Sequence, residues 1–153
     1  MQNDSKISLD DAYALKTPAD NVALYRHWAE TYDVEFAQNR GYQYPKKIAD
    51  IYAHYAKPDD NPILDVGSGT GSNLPFYLKI KTLSKITSLE PDKKLFLKLK
   101  NDKRFKKKNF IIKNVKLSQL KSKKKFNSII YADVLEHIKY DLKEIQLAVK
   151  YLK

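Results

Sequence analysis

Two carboxylates and three closely spaced glycines are the residues of this chain whose types and spacing could do chemistry. Asp65-Val66-Gly67-Ser68-Gly69-Thr70-Gly71-Ser72-Asn73 continues the apolar run Ile63-Leu64, and Asn61-Pro62 punctuates its front. β-formers ahead of glycines at alternate positions predict a buried strand breaking into a turn whose glycines take positive φ and approach a ligand closely. Ligands of open α/β sheets bind at such a place, outside the carboxyl end of a strand. The second carboxylate, Glu90, ends the strand pattern Lys85-Ile86-Thr87-Ser88-Leu89 and precedes Pro91-Asp92. An acid about 20 residues after a glycine turn, at the tip of the neighbouring strand, suits bidentate recognition of ribose hydroxyls.

Spacing also bears on the charge of the ligand. A dinucleotide fingerprint runs G-x-G-x-x-G and brings a pyrophosphate to a helix N-terminus. Here the glycines run G-x-G-x-G, and Ser72 stands where the third fingerprint glycine would be. A fixed carboxylate at Asp65 is unfavourable beside a pyrophosphate and favourable near an ammonium or sulfonium, which points to a cationic ligand. The string Asp65-x-Gly67-x-Gly69-x-Gly71 resembles the first motif of class I S-adenosylmethionine-dependent methyltransferases. Glu90 fits a nicotinamide-binding module equally well, so that reading stays as an alternative which Asp65 and Ser72 disfavour.

The resemblance extends over about residues 22–150. Trp28-Ala29-Glu30-Thr31-Tyr32-Asp33 resembles the Trp-Ala-x-x-Tyr-Asp element of many small-molecule methyltransferases, which implies that Tyr32 and Tyr25 lie against the cofactor. Asn114, with Val115 beside it, stands just past a strand where the family commonly carries an acidic or amide side chain toward the adenine amino group. The more usual Asp is absent there. Asp133-Val134-Leu135-Glu136-His137-Ile138 resembles the fourth motif and implies that Asp133 sits near the methionyl end. The implied cofactor is S-adenosylmethionine, with S-adenosylhomocysteine as product. The implied contacts are Tyr25, Tyr32, Asp65, Gly67, Ser68, Gly69, Thr70, Gly71, Glu90, Pro91, Asn114, Val115 and Asp133. Methyl transfer from a sulfonium is an in-line displacement governed by positioning, and no residue is assigned as a base.

Composition bounds the remaining classes. The chain has 153 residues, enough for one domain with a core, and no cysteine, so neither disulfides nor a thiolate metal site can form. Three scattered histidines argue against a histidine-built metal site. Neither a signal peptide nor a membrane span is visible, and a cytoplasmic protein is expected. The net charge of +11 is uneven: residues 1–56 sum to −2 and residues 57–153 to +13. Nearly all of it is lysine with few interleaved aromatics, so a solvated surface is favoured over a nucleic-acid interface.

The elements that must position these residues follow from pattern. Thr17-Pro18-Ala19-Asp20 reads as a capping box opening a helix to about Ala37, with Val22, Tyr25, Trp28, Ala29 and Tyr32 on one face. Pro45 opens a second helix whose inner face is Ile48, Ile51, Tyr52 and Tyr55. Strands at 62–66, 85–90, 109–113 and 126–132 alternate with helices at about 73–80, 92–102 and one that Asp141-x-x-Glu144 caps, the last with Leu142, Ile145 and Val149 inward. The pattern predicts an α/β, Rossmann-like three-layer α-β-α fold, with 1–56 as an N-terminal helical cover and 57–153 as the cofactor-binding part. The resemblance adds the parallel strand order 3-2-1-4. The family core continues through three further strands, so the resemblance implies a sheet lacking its C-terminal strands. The apolar fourth strand is then an unprotected edge, which implies a homodimer or a completing partner. A non-catalytic or partner-completed cofactor-binding subunit is the runner-up reading.

Overall fold

Ile63–Val66 (β1) and Ile86–Leu89 (β2) are buried at every residue, as parallel strands covered on both faces must be. The computed structural model describes residues 11, 14–17, 20, 23–24, 27–28, 43–57, 60–81, 83–106 and 109–153. β1 and β2 run parallel, Ile63 opposite Ile86 and Val66 opposite Leu89. Phe110–Lys113 (β3) pairs with β2 and Ser128–Tyr131 (β4) with β1, both parallel, so the order β3-β2-β1-β4 is the expected one.

Successive strand residues point to opposite faces, so each strand feeds two cores. On one face Ile63, Ile86 and Phe110 meet three helices: Ala49 of α1 (Tyr44–Tyr55), Leu74 and Tyr77 of α2 (Leu74–Tyr77), and Leu99 of α3 (Lys93–Asn101). On the other, Leu64, Val66 and Leu89 meet Leu117, Leu120, Phe126 and Ala148 of α4 (Asp141–Val149). Helices on both faces of a parallel sheet make the layering Rossmann-like. Among the described residues no helix is long and apolar enough to cross a membrane.

Local signals set the helix starts. Thr17 N–H donates to Asp20 Oδ2 at 2.9 Å and Asp20 N–H to Thr17 Oγ1 at 3.2 Å, the reciprocal pair of a capping box. Most of the helix expected beyond it, Tyr25 and Tyr32 included, lies outside the described residues. Asp92 caps α3, its Oδ1 accepting from the Lys94 and Leu95 N–H groups.

Two helices are rotated from the expected phase. In α1 the inward residues are Pro45, Ile48, Ala49 and Tyr52, whereas Ile51 and Tyr55 are exposed. In α4 Leu142, Ile145 and Val149 face solvent, Leu142 at 71% exposure, and Leu147 and Ala148 pack inward. The chain after α4 explains that rotation. Tyr151 donates its hydroxyl to the Leu120 carbonyl, Phe126 N–H donates to Tyr151 O, and Lys153 N–H donates to Phe126 O. These bonds tether the C-terminal turn to the base of β4, and small Ala148 lets the helix approach the sheet. Asp141 is the first helical residue rather than the cap, its Oδ1 accepting from Leu142 N–H.

The fourth strand is also shorter than expected. Phe126 lies outside β4 and bridges Leu152 in parallel, so the chain itself covers the start of that edge, which the sequence left bare. From Ser128 to Tyr131 no strand pairs with the outer side among the described residues. The link from β3 to β4 carries a 3-10 turn, Leu117–Gln119, and no α-helix.

Urea unfolding separates the two phases of α4. Leu142→Ser is expected to change stability by less than about 0.5 kcal/mol as a surface substitution. The core reference is Leu99→Ala in α3, which empties a fully buried site and is expected to cost about 2–5 kcal/mol. A core-sized loss in Leu142→Ser would restore the inward phase read from the sequence.

Candidate functional site

The glycine turn is anchored to the end of β2. Gly67 N–H and Ser68 N–H both donate to the Leu89 carbonyl, at 2.8 and 3.1 Å, and Gly71 N–H donates to Ser68 O at 2.8 Å. Gly67, Gly69 and Gly71 all take positive φ, between +57° and +83°. Their surroundings differ. A Cβ on Gly67 would lie 2.7 Å from Val134 Cγ2, and one on Gly71 would collide with Leu99, so these two glycines are required by packing. A Cβ on Gly69 would meet nothing within 4 Å, which makes it the open side of the turn.

Gly69 is also where the second carboxylate arrives. Glu90, only 4% exposed, accepts from Gly69 N–H at 2.7 Å through Oε2 and from Asp92 N–H at 2.8 Å through Oε1. Burial pushes its carboxyl up to about 7, against the downward pull of the two backbone donors. Asn114, one strand over, donates through Nδ2 to the carbonyls of Glu90 at 2.8 Å and Pro91 at 3.0 Å, which pins the exit of β2. That leaves Asn114 Oδ1 as an acceptor. Val115 beside it is half-buried against the core that faces α4.

Asp65 lies beneath the turn, on the face of β1 that carries Ile63. Its Oδ2 contacts Ser88 Oγ at 3.0 Å, Ser88 Oγ contacts Ser68 Oγ, and Ser68 Oγ reaches the Leu89 carbonyl at 3.2 Å. Ser88 is the donor to Asp65. Full burial pushes the Asp65 carboxyl up to about 6, against the downward pull of the Ser88 and Ser68 hydroxyls. Tyr77, wholly buried nearby, has a hydroxyl with no hydrogen-bond partner among the described residues, and burial followed by the Asp65 charge pushes its ionisation far up.

The loop after β4 closes over the turn from the other side. Val134 covers Gly67, and Asp133 takes a left-handed conformation, φ +53°. Tyr44, at the start of α1, is hydrogen-bonded to Asp133 through side chain and backbone. Burial first and the Asp133 and Glu136 charges next raise its ionisation. Sequence reasoning missed both Tyr44 and Tyr77. Neither belongs to a motif, and the one signal for Tyr44 was its place beside the helix-opening Pro45. The structure therefore brings together Asp65, Gly67, Ser68, Gly69, Glu90 and Asn114 around the ends of β1 and β2, with Asp133 across the turn. Thr70 is half-buried within the turn and Pro91 is exposed beside Glu90.

Residues 36–153 match a family model described as a methyltransferase domain. No curated protein sequence matches the chain. Among solved structures, the plantazolicin methyltransferase BpumL in complex with a pentazolic desmethylPZN analog and SAH is similar at TM-score 0.61 and 14% identity. That match covers 87% of this chain and 56% of BpumL. Magnesium protoporphyrin IX methyltransferase (ChlM) from Synechocystis PCC 6803 with bound SAM is similar at TM-score 0.64 and 17% identity, over 97% of this chain and 75% of that one. DesVI of Streptomyces venezuelae is similar at TM-score 0.52 and 16% identity, over 97% and 55%. The chain thus spans little more than half the length of BpumL and of DesVI.

Asp65 makes the stability of this site depend on pH. A carboxyl raised on folding contributes stability that is complete below its unfolded range and is lost as pH rises through its folded value. For Asp65 that window runs from about 4 to about 6, and two units correspond to about 3 kcal/mol. Asp65→Asn keeps an acceptor for Ser88 and cannot ionise. Thermal melts of both proteins across this window should show the wild type losing ground to the variant as pH rises; a constant difference would mean that Asp65 ionises freely.

Proposed function

The chain belongs to the family of methyltransferase domains, and we propose that it binds S-adenosylmethionine on the open side of the 67–71 turn and transfers the methyl group to a small-molecule acceptor. The observation that carries this reading is the junction of Gly69 and Glu90. The one glycine of the turn with free space beside it has its N–H held by a buried carboxylate at the tip of the neighbouring strand. Each Glu90 oxygen has one backbone donor and keeps lone-pair capacity for a ribose hydroxyl. Asn114 Oδ1 is the atom that would accept from an exocyclic amino group, with Val115 beside the ring. Asp133 and the turn residues Gly67, Ser68 and Thr70 would flank the methionyl end, and Asp65 would support the turn from beneath. Tyr25 and Tyr32 belong to the proposed helical cover of residues 1–56.

The cofactor, when bound, supplies a methyl group already activated on a sulfonium. The protein's work is then to bind, orient and exclude water, and no side chain is assigned as a base. The similar solved proteins BpumL and ChlM carry SAH and SAM, which supports this ligand class. A second reading, a subunit completed by a partner, is favoured by the outer side of β4, which no strand pairs among the described residues. We propose that a second copy or a completing partner pairs there. Sedimentation at micromolar concentration should then show association, whereas a strictly monomeric sample with a cooperative melt would rule the pairing out.

Calorimetric titration with S-adenosylmethionine, S-adenosylhomocysteine and NAD tests the main reading. Both sulfur ligands should bind more tightly than NAD; the reverse order would favour a nicotinamide module. Gly69→Val should abolish binding with the fold retained. Glu90→Ala should weaken binding by about 1–3 kcal/mol. Ribose hydroxyls donate to the ionised carboxylate, so wild-type affinity should rise as pH passes through about 7. That rise should vanish in Glu90→Gln.

A further inference from the structure

The described residues cover the face of the sheet opposite α1 to α3 only in part. α4 and the Leu117–Gln119 turn pack over Leu64, Val66 and Leu89, and the rest of the β3 to β4 link supplies no helix. Thr87 of β2 and Ile111 of β3, neighbours on that face, consequently floor a groove of about 340 Å³. This lies within the usual size range of small-molecule sites. Leu120 and Phe126 close its apolar side.

Its rim is basic. Lys85, Lys113, Lys121, Lys123 and Lys124 line the groove, and no carboxylate does. Among the described residues none of the five forms an ion pair. Lys125, next in the chain, points elsewhere, donating to the Lys150 carbonyl. Lysine is a flexible point charge that serves phosphate groups well, and several around one depression favour a ligand with more than one phosphate. The groove shares no lining residue with the glycine turn, Glu90, Asn114 or Asp133.

We propose that this groove is a second binding site, taking a nucleoside polyphosphate with its phosphates among the lysines and its nucleoside against Ile111 and Pro62. The limited volume of this half-open groove favours such a molecule over a nucleic-acid strand, which needs an extended track.

The test is calorimetric titration of ATP into protein held at saturating S-adenosylhomocysteine, so that the cofactor turn is filled. S-adenosylhomocysteine binding, measured alone, reports on the methyltransferase reading separately. ATP should bind in the wild type and bind at least about tenfold more weakly in Lys121→Glu/Lys123→Glu/Lys124→Glu. The corresponding triple Gln variant should fall between the two, with S-adenosylhomocysteine affinity unchanged in both. All three lysines are exposed on a loop, and thermal melts check that the variants fold. Equal ATP affinity in wild type and the Glu variant would overturn the proposal, as would no binding at millimolar ATP. Inorganic tripolyphosphate binding as tightly as ATP would remove the nucleoside from it. A single-stranded oligonucleotide binding far more tightly than ATP would replace it with a nucleic-acid surface.

Discussion

The Leu89 carbonyl and the Glu90 carboxylate, consecutive groups at the end of β2, hold the backbone of the glycine turn that leaves β1. Leu89 O accepts from two N–H groups and a serine hydroxyl, and Glu90 accepts from the third consecutive N–H of the turn. A turn with three left-handed residues has no ladder of its own to satisfy its amides, so a neighbouring strand must do so. Parallel pairing in the observed register puts Leu89 beside Val66 and makes this possible. A slip by one residue would carry Glu90 away from Gly69 and reverse every side chain of β2 between the two cores.

Three glycines at equal spacing thus serve different ends. Gly67 and Gly71 are small because Val134 and Leu99 press on them, whereas Gly69 is small toward empty space. The two buried carboxylates divide in the same way. Asp65 closes a chain of hydroxyls inside the protein, and Glu90 stands at the boundary, satisfied by backbone donors with capacity to spare.

Much of this was legible in the residues. β1 and β2 are apolar runs too short for helices, and their ends carry the turn and the acid, so the sheet centre and the heart of the site could be read directly. The capping boxes failed or held according to local chemistry alone: Thr17 and Asp20 satisfy each other, whereas Asp141 opens α4 without capping it. The helix faces were less readable. α4 carries apolar residues on two sides, Leu142, Ile145 and Val149 on one and Leu147 and Ala148 on the other, and periodicity cannot choose between them. Contacts far off in sequence, Tyr151 to Leu120 and Phe126, made the choice. Tyr44 was hidden for the same reason, since its partner Asp133 is distant in sequence and no motif joins them.

The uneven covering of the strands has a consequence for how the molecule breathes. Every residue of β1 and β2 is buried, whereas every residue of β4 is only half-buried and, among the described residues, its outer side is unpaired beyond Phe126. Local opening is cheapest where few apolar contacts are lost, so β4 and α4 form the softer unit of the domain. Amide hydrogens there are expected to exchange through partial opening, and those of β1 and β2 only when the whole sheet comes apart. The glycine turn straddles this boundary. Its Leu89 and Glu90 anchors belong to the rigid half and Val134 to the soft one, so the flank of the turn can loosen while its backbone stays in register.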